Sequence, residues 1–206
     1  MRSPAILRPL AILLPIALAL ASCGNERTEV PASRVAGNDP VKRVEFPRYG
    51  VQVSVPTTAS VERTARPGVF KLFLGQPLIS MFAYPRKEQI PRERDDLRVA
   101  RRRLVKEVKR RDPDYELSSS RLTELAGAKA IELLGDQTIS RGPLRTRSVH
   151  VYKRDAEYVI ELLAPPVEFD RTDREVFEPL LRSLKLSGKV EEPRRAKRKS
   201  QREKRP

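Results

Sequence analysis

In "GVQVSVP", Val51, Val53 and Val55 alternate with Gln52 and Ser54, a period of two that puts the valines on one face of a half-buried strand. Two apolar runs in "VFKLFLGQPLISMFAYP" flank Gly75-Gln76-Pro77 and predict a hairpin. The period then changes. In residues 92–111, Leu97, Ala100, Leu104 and Val108 recur every three or four positions with Val105 beside them, the apolar stripe of a helix. Pro91 or Arg92 opens that helix. Glu93, Asp95 and Asp96 lie at its positive N-terminal end, and basic residues crowd Lys106 to Arg111 at its negative end, as the helix dipole favours.

Four more strands follow, at 117–125, 128–135, 144–154 and 157–164. Asp155-Ala156, between the last two, is too short for anything but a hairpin turn, and Gly127 and Gly142-Pro143 mark the other turns. "TDREVFEPLLRSLKL" predicts a terminal helix with capping-box spacing between Thr172 and Glu175. Its inner stripe is Val176, Leu180 and Leu184, widened by Phe177 and Leu181, and Pro179 should kink or restart it. Strands joined by hairpins imply an α+β fold. It has a mainly antiparallel sheet of about six to seven strands, packed with two amphipathic helices. Residues 43–187 supply one core and one domain, without internal repeats.

The order of these elements, with "EYVIELLAPPVEFD" running into "FEPLLRSL", resembles the PsbP-like superfamily, in which an antiparallel sheet lies between helices in an α/β/α sandwich. The resemblance rests on residues 158–165, a strand ending in Ala-Pro, and 177–184, a terminal helix ending in Ser-Leu. That superfamily holds photosystem accessory proteins and bacterial lipoproteins. The resemblance therefore implies a binding or accessory role, and it carries over no functional residue.

Both ends of the chain differ from the middle. Arg2 and Arg8, an apolar core from Leu10 to Leu20, and the small pair Ala21-Ser22 have the layout of a secretory signal peptide over 1–22. The core is shorter than the roughly 20 residues a membrane span needs, and Pro9 and Pro15 interrupt it. Leu20-Ala21-Ser22-Cys23 resembles a bacterial lipobox. That resemblance implies cleavage before Cys23 and acylation of its thiol and new amino group, with palmitate among the chains such proteins carry. Two or three acyl chains anchor durably, because each buried methylene adds about 0.8 kcal/mol. The expectation is an extracytoplasmic protein anchored to the cell membrane at Cys23, with 24–42 as a polar linker. Cys23 is the only cysteine, so acylation leaves no thiol for disulfides, nucleophilic catalysis or metal binding. Residues 188–206 are basic, nearly devoid of apolar side chains, and read as a disordered tail.

The formal charge is +15, with arginine outnumbering lysine. Part of this sits on the polar face of the helix at 92–111, including Arg101, Arg102 and Arg110, and part on the tail at Arg194, Arg195, Lys197, Arg198 and Lys199. Export argues against nucleic acid, as does the lack of aromatics interleaved with these charges. Anionic lipid headgroups or wall polymers are the remaining abundant partners, each basic residue near such a surface contributing about 1 kcal/mol. A solvated helix face and a solubilising tail explain the same residues.

Catalytic chemistry finds little support. His150, the only histidine, shares a strand face with Ser148 and Tyr152, and no Gly-x-Ser-x-Gly or second histidine accompanies it. Asp95-Asp96 and Asp170/Asp173 fall at helix starts, where carboxylates stabilise the dipole anyway. No cofactor, metal or catalytic residue is assigned. The leading expectation is a non-enzymatic binding or accessory module of the envelope, with an envelope protein as a further partner. The alternative is capture of a small hydrophobic molecule on the concave sheet face, lined by Phe70, Phe73, Phe82 and Tyr84, aromatics whose ordinary reading is plain core; a hydrolase using His150 comes last.

Overall fold

The computed structural model describes residues 39–139 and 142–191. Cys23 and the tail residues Arg194, Arg195, Lys197, Arg198 and Lys199 lie outside them.

Among the described residues, ten strands form two antiparallel sheets. β1 (Val41–Phe46), β2 (Val51–Pro56) and β10 (Lys185–Leu186) make the smaller, in the order β1-β2-β10. The larger holds β3 (Ser60–Arg63), β4 (Gly68–Phe73), β5 (Leu78–Pro85), β6 (Glu116–Leu125), β7 (Ala128–Ile139), β8 (Gly142–Lys153) and β9 (Ala156–Ala164), in the order β3-β4-β5-β9-β8-β7-β6. β1 begins at Val41, inside the segment read as linker, because Val44 and Phe46 pack against the core across from β2.

The seven-stranded sheet has two unlike faces. On the inner face Ile79, Met81, Val149, Val151, Tyr158, Ile160 and Leu162 are essentially inaccessible to solvent. The valines of β2 and a C-terminal helical segment cover them, giving the main core. That segment starts earlier than its sequence suggests. Pro165-Pro166 opens α2 (Pro166–Thr172), so Thr172 is helical and buried and caps nothing. A wide turn of π-helix, Asp173–Phe177, joins α2 to α3 (Glu178–Ser183). The irregularity expected at Pro179 is this π turn: proline has no N–H and its ring crowds the carbonyl four residues back, so the chain widens just before it. Leu184 leaves the helix and Lys185-Leu186 turn back as β10 beside β2.

The chain stays attached beyond β10. Val190 packs on the core and the Glu191 N–H donates to the Arg48 carbonyl, so the first residues of the basic tail belong to the domain.

On the outer face lies α1 (Arg94–Arg111). Leu97, Ala100, Leu104, Val105 and Val108 meet Ile131 and Leu133 of β7 and Leu117 and Leu122 of β6 in a second, smaller core. The α1 stripe is thus the one its spacing predicts. It covers only the β6–β7 side of the sheet. Among the described residues no helix is long and apolar enough to cross a membrane.

Candidate functional site

Because α1 covers β6 and β7, the outer faces of β8, β9 and β5 remain open, and a cleft of about 870 Å³ runs between them and the helix. A smaller hollow of about 470 Å³ adjoins it along α1, sharing Arg86, Leu104, Glu107 and Glu157. Antiparallel register sets the cleft floor in cross-strand rows: Leu78, Leu163 and Thr146; then Ser80, Glu161 and Ser148; then Phe82, Val159 and His150; then Tyr84, Glu157 and Tyr152. In β9, side chains alternate faces, so Tyr158, Ile160 and Leu162 go to the core while Glu157, Val159, Glu161 and Leu163 face the cleft.

The turn between β8 and β9 decides who meets whom. Lys153 pairs with Ala156, so the turn residues are Arg154 and Asp155, one position earlier than the sequence suggests. Arg154 adopts the left-handed φ of 52° that such two-residue turns use. Moving the turn by one residue slides the strands by two. Glu161 therefore sits opposite Ser148 instead of His150, and Glu157 comes diagonally within reach of the imidazole.

His150 Nδ1 and Glu157 Oε1 are 2.8 Å apart, and Arg86 Nε donates to Glu157 Oε2 at 2.9 Å. Burial alone would raise the Glu157 carboxyl; hydrogen bonds from His150 and Arg86 outweigh it and hold the group below its ordinary value. Glu157 thus carries a settled negative charge and orients the imidazole. Among the described residues no hydroxyl hydrogen-bonds His150.

Glu161 is the converse case. Half-buried on the cleft floor, it has no hydrogen-bond or ion-pair partner among the described residues, and burial pushes its carboxyl up against the opposing pull of His150 and Arg111. Ser148 beside it is nine-tenths buried and its hydroxyl is also without a partner there.

The four aromatics named from sequence separate. Phe70 stacks on Phe46 inside the main core at 5.2 Å between centroids, and Phe73 is exposed on β4. Phe82 and Tyr84 line the cleft, stacked with ring centroids 6.4 Å apart. Tyr115 closes the far end, its hydroxyl accepting from Thr146 Oγ1 at 3.4 Å.

Asp95 and Asp173 are each ion-paired. Asp95 meets Arg98 at the start of α1. Asp173 meets Arg147, whose guanidinium also reaches Glu132 and Glu178 on the inner face. Burial alone would lower the Arg147 pKa, and its carboxylate partners raise it instead. Of the α1 cations, Arg101 donates to the Ser120 carbonyl of β6 at 3.2 Å, Arg110 pairs with Glu107, and Arg102 is exposed. Among the described residues no cluster of His, Cys, Asp and Glu could hold a metal ion.

Glu157, Glu161, Arg86 and Arg147 escaped the sequence reading. The signal for the first two was present: acidic residues four apart in an otherwise apolar strand, on the face opposite Tyr158, Ile160 and Leu162.

No protein-family model matches the chain, and no curated protein matches it by sequence. Solved structures do. The cyanobacterial PsbP protein, CyanoP, from Synechocystis is 14% identical with a TM-score of 0.54, over 81% of this chain and 98% of that one. LpqN, involved in cell envelope biogenesis of Mycobacterium tuberculosis, is 15% identical with a TM-score of 0.51, over 74% of this chain and 88% of that one. The fold is PsbP-like.

Proposed function

We propose that this chain is a non-enzymatic binding module of the bacterial cell envelope, with the cleft between α1 and strands β8, β9 and β5 as its binding surface. One observation carries this reading: the helix leaves half of a sheet face uncovered, and that half mixes aromatic and aliphatic side chains with a few convergent polar ones, as small-molecule sites do. The mycobacterial envelope protein of like fold supports the location. In this reading Cys23 is acylated and tethers the domain through the linker, and the basic face of α1 and the tail lie toward anionic lipid or wall polymer.

Native mass spectrometry of the chain purified from its own membranes tests the cleft. A co-purified small molecule that Ser148→Trp excludes is the expected result. A clean apo mass in every preparation would move the role to a protein partner. Radiolabelled palmitate tests the tether, since label should enter the chain and be lost in Cys23→Ser.

A further inference from the structure

Resting on the cleft as a ligand site, we infer that it selects an amphiphile with a cationic head, whose ammonium or similar group sits on Glu161 while its apolar body lies along Phe82, Val159 and Leu163. The floor is apolar at these three positions, and Glu161 of β9, opposite Ser148 of β8, is among the described residues its one carboxylate without an ion-pair partner. Ser148 and Glu161 both line the cleft, and among the described residues neither the Ser148 hydroxyl nor the half-buried Glu161 carboxylate has a hydrogen-bond partner. Glu161 and Ser148 thus present polar atoms that reach the cleft and that no protein group in contact occupies, so they are open to a ligand.

The sign of the missing partner follows from the charges around it. Glu157 is already ion-paired with Arg86 and hydrogen-bonded to His150, and Glu107 on the helix is ion-paired with Arg110. Glu161 has no such cation in contact, so a ligand cation gains a charge-assisted hydrogen bond there. An anionic head would meet Glu161 at the floor, where little water screens the repulsion. Arg111, the remaining cation near Glu161, is exposed at the rim, where solvent weakens its pull on an anion. The stacked rings of Phe82 and Tyr84 add faces that attract cations.

The test uses the full chain and three probes of one chain length: dodecylammonium, dodecanol and dodecanoate, titrated by calorimetry below their micelle concentrations. Dodecylammonium should bind about tenfold or more tightly than dodecanoate, with dodecanol between them. Glu161→Gln should remove most of that preference while leaving dodecanol affinity nearly unchanged, and Phe82→Ala should weaken all three. Unchanged circular dichroism and melting temperature confirm that each variant is folded; Ser148→Ala, a smaller change, should narrow the preference in the same direction. Equal binding of the three probes, or a preference that survives Glu161→Gln, overturns the head-group inference alone. Binding of none overturns the cleft reading with it.

Discussion

His150 and Glu157 lie on neighbouring strands, two rows from the hairpin turn and one, and their side chains meet at 2.8 Å because Arg154 takes the left-handed turn position. Arg86, anchored through its backbone N–H to the Asp155 carbonyl, completes the group from the end of β5. Three separate stretches of sequence are thereby tied at one end of the cleft.

Glu157→Gln should destabilise the fold by about 1–3 kcal/mol at neutral pH, the scale of hydrogen bonds to a charged group. The Arg86 share is at the low end because that side chain is half exposed and screened. The folded-state pKa of Glu157 lies below its unfolded value. Its contribution is therefore fully present above the unfolded pKa and disappears as pH falls through the folded one. Urea unfolding of both proteins from neutral to acid pH should show the gap between them closing. A gap independent of pH would sink this account.

Glu161 carries the opposite sign. Its folded pKa is raised, so its contribution is favourable below the unfolded pKa and is lost as pH rises through the folded value. Glu161→Gln, which stays neutral, should make the chain more stable at neutral pH and leave it nearly unchanged in acid. Melting curves at both pH values check this.

Arg147→Ala should cost about 3 kcal/mol, since it leaves the partly buried Asp173 without its ion pair and the buried Glu132 with Arg121 alone. The double change Arg147→Met with Glu132→Leu should recover part of the loss by replacing that buried charge pair with packing, while Asp173 stays unpaired and Arg121, mostly exposed, turns to solvent. Chemical denaturation of the single and double variants measures both.

How much of this the sequence carries depends on the range of the determining contacts. The stripe from Leu97 to Val108 and the alternation of Val51, Val53 and Val55 are local, and both elements stand where their periods put them. The seven-stranded sheet follows from its hairpins. The site does not, because it depends on register. Glu157 reaches His150 only if the turn is Arg154-Asp155, and nothing in the hydrophobic pattern separates that turn from its neighbour. Thr172 misled for a related reason: its spacing to Glu175 fits a cap, but Pro165-Pro166 had already started the helix.

The aromatics provide a direct check on which side of the sheet is core and which is cleft. Phe70 is fully buried and stacked on Phe46, so Phe70→Ala should cost about 3–5 kcal/mol through lost burial and a cavity. Phe82 is half-buried on the open cleft and leaves no closed cavity, so Phe82→Ala should cost about 1 kcal/mol. Guanidinium unfolding of the two variants gives the comparison. Similar losses would mean that the cleft is closed in solution and packed as core.

The charge on α1 gives the last expectation. Arg94, Arg102, Arg103, Lys106, Lys109 and Arg111 are exposed, whereas Arg98 is paired with Asp95, Arg101 is tied to β6 and Arg110 to Glu107, so the first six are the α1 cations available to an anionic surface. At about 1 kcal/mol each near such a surface, they amount to a contact that acyl chains would reinforce and salt would weaken. Cys23→Ser removes the proposed anchor and leaves electrostatics alone. That chain should sediment with phosphatidylglycerol vesicles at low salt, release as salt rises, and ignore phosphatidylcholine vesicles. Truncation to test the tail belongs after Glu191, because Val190 and the Glu191 N–H hold the domain together and an earlier cut confuses stability with binding. If changing Arg102, Lys106 and Lys109 to glutamine leaves binding intact while truncation abolishes it, the helix face is only a solvated surface and the tail alone makes the contact.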